Sequence, residues 1–110
     1  MKTIIFTVLF LLSVTALADT EAKIKRIAII EDPDLVYVYP EGDRVNNPPP
    51  CHGSNGEYIS FSLNRPKAKE FLATLLVAFA AKKTVFFRTA GDCIDQSISD
   101  TLVYFWVNND

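Results

Sequence analysis

Apolar positions along this chain follow two rhythms, and one stretch alone keeps the helical one. Between Arg65 and Lys83, Ala68, Phe71, Leu72, Leu75, Leu76 and Phe79 recur at the i, i+3, i+4, i+7, i+8 spacing of one helix face. The spacing predicts a helix over 65–83, with Asn64 as its cap and Pro66 in its first turn. Lys82 and Lys83 would then oppose the negative end of the helix dipole. The back of this helix is polar at first, with Lys67, Lys69, Glu70 and Thr74. It then turns small and apolar at Ala73, Val77, Ala80 and Ala81. A helix apolar nearly all round is either covered on more than one side or offers a self-association surface, and these four residues are the candidates for an oligomer interface.

The rest of the chain has the alternation of strands. Lys23–Glu31 reads as one, Leu35–Tyr39 as a second after the Asp32-Pro33-Asp34 turn, and Glu57–Leu63 as a third. In the third, Ile59, Phe61 and Leu63 are expected inward and Tyr58, Ser60 and Ser62 outward. Thr84–Ala90 and Thr101–Val107 follow the helix. The last is apolar on both faces, which predicts a central strand or one that meets a neighbour. Asp19–Ala22 reads as a polar, mobile lead-in, Pro40–Gly56 as a long loop stiffened by Pro48-Pro49-Pro50, and Ile94–Asp100 as a solvated loop. The order is strand-strand-strand-helix-strand-strand, an α+β domain.

The N-terminus changes the picture. Met1-Lys2, an apolar run to Leu12 and Ala16-Leu17-Ala18 have the layout of a secretory signal peptide. Residues 1–18 are thus expected to be removed, leaving 19–110 as a single domain that is secreted or periplasmic. Without Lys2, the 11 basic residues fall to 10 against 13 acidic ones. That negative balance gives no electrostatic basis for nucleic acid or an anionic membrane. No segment after the leader is long enough to span a bilayer, so no membrane insertion is expected once the leader is gone. The only two cysteines, Cys51 and Cys93, are expected to form a disulfide in an oxidising compartment.

Little in the sequence points to catalysis, to a cofactor or to a metal. His52 is the sole histidine, no G-x-S-x-G elbow occurs, and Cys51 and His52 are adjacent rather than spaced as ligands. Asp92, Asp95 and Asp100 match no calcium loop. What remains is binding. Tyr37, Tyr39, Tyr58, Tyr104 and Trp106 carry rings with polar handles, the types that stack on sugars or anchor protein contacts, and the first three are the candidate ligand contacts.

From Cys51 to Val107 the layout has a recognisable order. Cys51 and the strand Tyr58–Leu63 lead into Phe-Leu-Ala-Thr-Leu-Leu-Val-Ala-Phe-Ala-Ala-Lys-Lys, followed by Val-Phe-Phe-Arg and a closing Gly-Asp-Cys. This resembles small secreted bacterial proteins whose layout is similar to the B subunits of pentamer-forming bacterial toxins, that of subtilase cytotoxin among them. The resemblance implies an OB-fold-like barrel or curled antiparallel sheet whose helix follows the third strand. It also implies a homopentamer with helices around its centre, and a cell-surface glycan or glycoprotein as receptor. No sugar-binding residue carries over. The alternative expectation is a monomeric inhibitor or accessory protein that binds a protein partner through the 40–56 loop.

Overall fold

The computed structural model describes residues 18–53 and 56–110, so the leader expected over 1–18 lies, apart from Ala18, outside the described residues. The chain forms β1 (Ala18–Ala22), β2 (Ile24–Ile30), β3 (Leu35–Pro40), β4 (Ile59–Ser62), α1 (Ala68–Ala81), β5 (Val85–Thr89) and β6 (Leu102–Val107). This is an α+β domain of two antiparallel sheets, ordered β1-β5-β6 and β2-β3-β4. The sheets do not close into a continuous barrel. They are joined by a parallel bridge between Ser60 and Thr101, and by the chain itself, since Lys23 alone separates β1 from β2.

β1 corrects the expectation of a mobile lead-in. Thr20 pairs with Phe87 and Ala22 with Val85. Ala18 and Thr20 are buried while Glu21 is exposed, so the alternation is present, but its inward members are too small to stand out as apolar. Ala18 is held by its carbonyl, which accepts the Thr89 hydroxyl at 3.1 Å.

Val36, Val38, Ile59, Phe61, Leu75, Val85, Phe87 and Leu102 are fully buried and form one core. Phe71 joins α1 to both sheets, its ring edge-on to Phe61 of β4 at 5.7 Å and to Phe105 of β6 at 5.2 Å. Such edge-to-face pairs stabilise by about 1 kcal/mol each beyond the area they bury.

α1 is shorter than its apolar spacing suggests. Asn64 does not cap it; the cap position is Lys67, with no side-chain bond, and Pro66 stands before the first turn. Lys82 and Lys83 lie beyond the last turn, and Lys82 takes the left-handed conformation at φ 55°. Lys83 N–H closes this end on the Ala78 carbonyl at 3.0 Å. The buried arc is also narrower than expected. Ala68, Leu75 and Ala78 are buried, Phe71 and Leu72 half-buried, and Leu76 and Phe79 exposed. Ala78, too small to be conspicuous in the pattern, lets the helix approach closely and swings Leu76 and Phe79 out of the core.

Three further expectations change. Tyr58 and Ser60 are buried rather than outward, because the segment after β5 folds over β4. That segment is not a solvated loop: Asp100 is fully buried, and Asp95 accepts the Ser62 N–H at 2.8 Å. Finally, among the described residues β6 is an edge strand, not a central one.

Cys51 and Cys93 are joined, with Cα atoms 6.2 Å apart across a separation of 42 residues. In the chain-entropy description a loop of that length stabilises the fold by about 4 kcal/mol. Replacing both cysteines with serine should lower the urea-unfolding free energy by that order, and an unchanged midpoint would show that the bridge is dispensable.

Candidate binding faces

Two clusters of aromatic residues and one helix face gather the candidate residues. The first cluster holds Tyr37, Tyr39 and Tyr58. β3 places Tyr37 and Tyr39 on the same side, away from buried Val36 and Val38, and Tyr58 enters from just before β4. The rings of Tyr37 and Tyr58 stack at 4.0 Å, and Tyr39 tilts against Tyr58 at 5.3 Å with the Arg26 guanidinium over it. Gly56, at φ +99°, sits so close that a Cβ there would come within 3.2 Å of the Tyr39 ring.

The hydroxyls of Tyr37 and Tyr58 are tied into the structure. Tyr58 donates its hydroxyl proton to Gln96 Oε1 at 2.9 Å, and Gln96 Nε2 donates to the Tyr37 hydroxyl at 2.7 Å. Next to it, His52 Nδ1 accepts the Asp100 N–H at 3.0 Å while Nε2 lies 3.3 Å from Glu57 Oε2. With Nδ1 accepting, the proton of a neutral ring sits on Nε2 and is given to Glu57. Both ring nitrogens are engaged. Among the described residues, no three His, Cys, Asp or Glu side chains converge as a metal site would need.

The second cluster lies on the outer face of the β1-β5-β6 sheet. Since Val85, Phe87 and Thr89 of β5 point into the core, Phe86 and Arg88 point out. Their register partners on β6 are Trp106 and Tyr104. Phe86 and Trp106 stack at 4.0 Å with planes 7° apart, and Tyr104 follows at 6.1 Å from Trp106. The Arg88 guanidinium lies over both Phe86, at 5.6 Å, and Tyr104, at 5.9 Å. Its buried Nε has no hydrogen-bond partner, so contact with the rings takes the place of one. Trp106 remains 47% exposed and Tyr104 42%. Asp19 and Glu21 of β1 flank the aromatic row, and Asn108 Nδ2 donates to Glu21 Oε1 at 3.5 Å.

The helix face is the third. Ala73, Val77, Ala80 and Ala81 are all exposed, Val77 to 68%, and Leu76 and Phe79 join them. Near its N-terminal end, Arg65, Pro66, Lys67, Ala68, Phe71 and Val103 line a small cleft of about 230 Å³.

The sequence brings out Tyr104 and Trp106 as rings with polar handles but leaves their partners unnamed. Phe86 and Arg88 were accessible through parity: once Val85 and Phe87 are inward, the residues between them must share the face of whatever pairs with β5. The pairing itself was not legible. Comparison with protein-family models, with curated proteins and with solved structures finds no match for this chain.

Burial pushes the Tyr58 phenol up to about 12 from its ordinary 10.0; the bond to Gln96 opposes the shift, and Tyr37 adds to it. The fold therefore favours neutral Tyr58. Its contribution to stability should be complete below pH 10.0 and be lost as the pH rises through about 12. A tyrosinate absorbance titration should show a late step near pH 12, and Tyr58→Phe should remove it. A single transition near the ordinary value would contradict this.

Proposed function

We propose that this is a secreted or periplasmic binding protein without catalytic activity, and that the outer face of the β1-β5-β6 sheet recognises a cell-surface glycan or glycoprotein. The observation that carries this reading is the row of exposed Trp106 and Tyr104 with half-buried Phe86, held in place by Arg88. Solvent-facing aromatic rings fixed by stacking offer apolar faces that match the C–H faces of sugars. The carboxylates of Asp19 and Glu21 and the amide of Asn108 at the margin provide the polar groups that orient hydroxyls. Strands carry all of these side chains except that of Asn108, which lowers the entropic cost of binding.

Two further features support a non-catalytic reading. His52 uses both ring nitrogens inside the structure, and both cysteines are bonded to each other. The strand path supports the OB-fold-like layout as well: the sheet β2-β3-β4 meets β6-β5-β1 through the parallel Ser60–Thr101 bridge, and the run 18–30 serves both sheets.

Trp106 is the only tryptophan, so its emission reports on this face alone. A glycan array on the oxidised protein should yield binders, and titrating a positive oligosaccharide should shift Trp106 emission. Arg88→Ala and Tyr104→Ala should each weaken that binding by about tenfold, equivalent to about 1.4 kcal/mol. A blank array, or binders that leave the emission unchanged and tolerate both substitutions, would reject this face as the site.

A further inference from the structure

The free side of β6 has a definite hydrogen-bonding pattern. Asn108 N–H bonds the Thr84 carbonyl at 2.8 Å, which makes 84 and 108 a hydrogen-bonded pair of the antiparallel β5–β6 ladder. Such pairs alternate along a ladder, so Trp106 and Tyr104 also direct their backbone groups towards β5. Phe105 and Val107 therefore direct theirs away from it. Among the described residues no strand lies on that side, and none outside the ladder bonds them. At the start of the strand the situation differs, because the Arg65 guanidinium donates to the carbonyls of Leu102 and Val103.

Exposed edges are ordinarily blunted by charge, by proline or by a covering element. Among the described residues, β6 has none of these along its free length. Its sequence is Leu-Val-Tyr-Phe-Trp-Val, and Val103, Tyr104, Trp106 and Val107 are all exposed. It is also self-complementary. The two outward-directed residues stand symmetrically about Trp106, so a second β6 laid antiparallel across a two-fold axis at Trp106 sets Phe105 opposite Val107 of the other copy, and the reverse. Every outward N–H and C=O of these residues then finds a partner. Moving the axis to Phe105 would oppose Val107 to Val103, whose carbonyl Arg65 already holds.

We propose that two copies of this chain join edge to edge through β6, making one continuous sheet of both β1-β5-β6 halves with Trp106 on the axis. The two Trp106 side chains meet as a non-hydrogen-bonded cross-strand pair, the closest kind of side-chain contact in an antiparallel ladder. The aromatic row of one copy thereby runs into that of the other. The edge alone is small beside the roughly 800 Å² per partner of a stable interface. α1 supplies the remainder. It runs beside β6, with Arg65 at Leu102, Phe71 against Phe105, and Lys83 bonded to the Asp110 carbonyl at 2.7 Å. Edge pairing sets the two helices antiparallel on the inner side of the joined sheet, and exposed Leu76, Val77 and Phe79 are the apolar side chains that α1 has to offer a second copy.

The pairing is independent of any glycan, and its test uses no ligand. Val107→Pro removes an outward N–H and no bond to β5, so the fold should survive; near-ultraviolet circular dichroism and cooperative unfolding check this. Val107→Lys charges the same edge and keeps the N–H. Sedimentation equilibrium of the oxidised protein should give two copies at tens of micromolar, with both variants weakening association on the order of a hundredfold. Hydrogen exchange should show protection at the Phe105 and Val107 amides that grows with protein concentration. A monomer at that concentration overturns the proposal, as does a dimer indifferent to both substitutions or one with rapidly exchanging Phe105 and Val107 amides. A mass of five copies overturns it too, because an isologous two-fold contact closes at two.

Discussion

The junction at Asp100 and Thr101 is the constraint on which the two sheets depend. The Asp100 carbonyl accepts the Ser60 N–H at 3.1 Å, and its own N–H is given to His52. Thr101 meanwhile gives its carbonyl to Ala90 at 2.8 Å and its hydroxyl oxygen to the N–H groups of Ile94 and Asp95. Two consecutive residues thus bind β4, the disulfide loop and the end of β5. The Asp100 side chain adds one more link by accepting the Asp92 N–H at 3.1 Å, beside Cys93. With one carboxylate oxygen buried and unpaired, this junction costs desolvation energy, which the surrounding backbone bonds offset.

From that junction the rest follows in order. Ser60 and Tyr58 are buried because the 92–101 segment lies over them, and Gln96 from the same segment ties the Tyr37 and Tyr58 hydroxyls together. Tyr58, outward-facing by alternation, is thereby buried, and Tyr37 and Tyr39 are half-buried. The exposed rings of Tyr104 and Trp106 lie beyond the reach of this segment, on the far face of the other sheet. A polar segment decides which rings meet solvent.

Local pattern made much of this legible, and the failures share a cause. Helix α1, strands β2 to β6 and the cysteine pair follow from spacing, turn residues and an even thiol count. β1 was missed because Ala18, Thr20 and Ala22 fill its inward positions without an apolar signature. Leu76 and Phe79 look like core residues, but burial of a helix depends on how closely its neighbours approach, which Ala78 sets. The 92–101 segment is polar in composition and buried in fact, since its carboxylates and hydroxyls bond backbone groups that no local pattern reveals. For the outer aromatic face, parity supplied the members of each strand, but only long-range pairing joins Phe86 to Trp106 and Arg88 to Tyr104.

Arg65 gives the edge of β6 a property that its own residues lack. A uniform row of apolar side chains fixes no register, and a strand laid beside one can slide by a dipeptide while burying the same area. By holding the carbonyls of Leu102 and Val103, the guanidinium ends the usable row at a defined point. A side chain from the turn before α1 thus acts as an end-stop for the strand. It confines pairing along this edge to a single finite docking length.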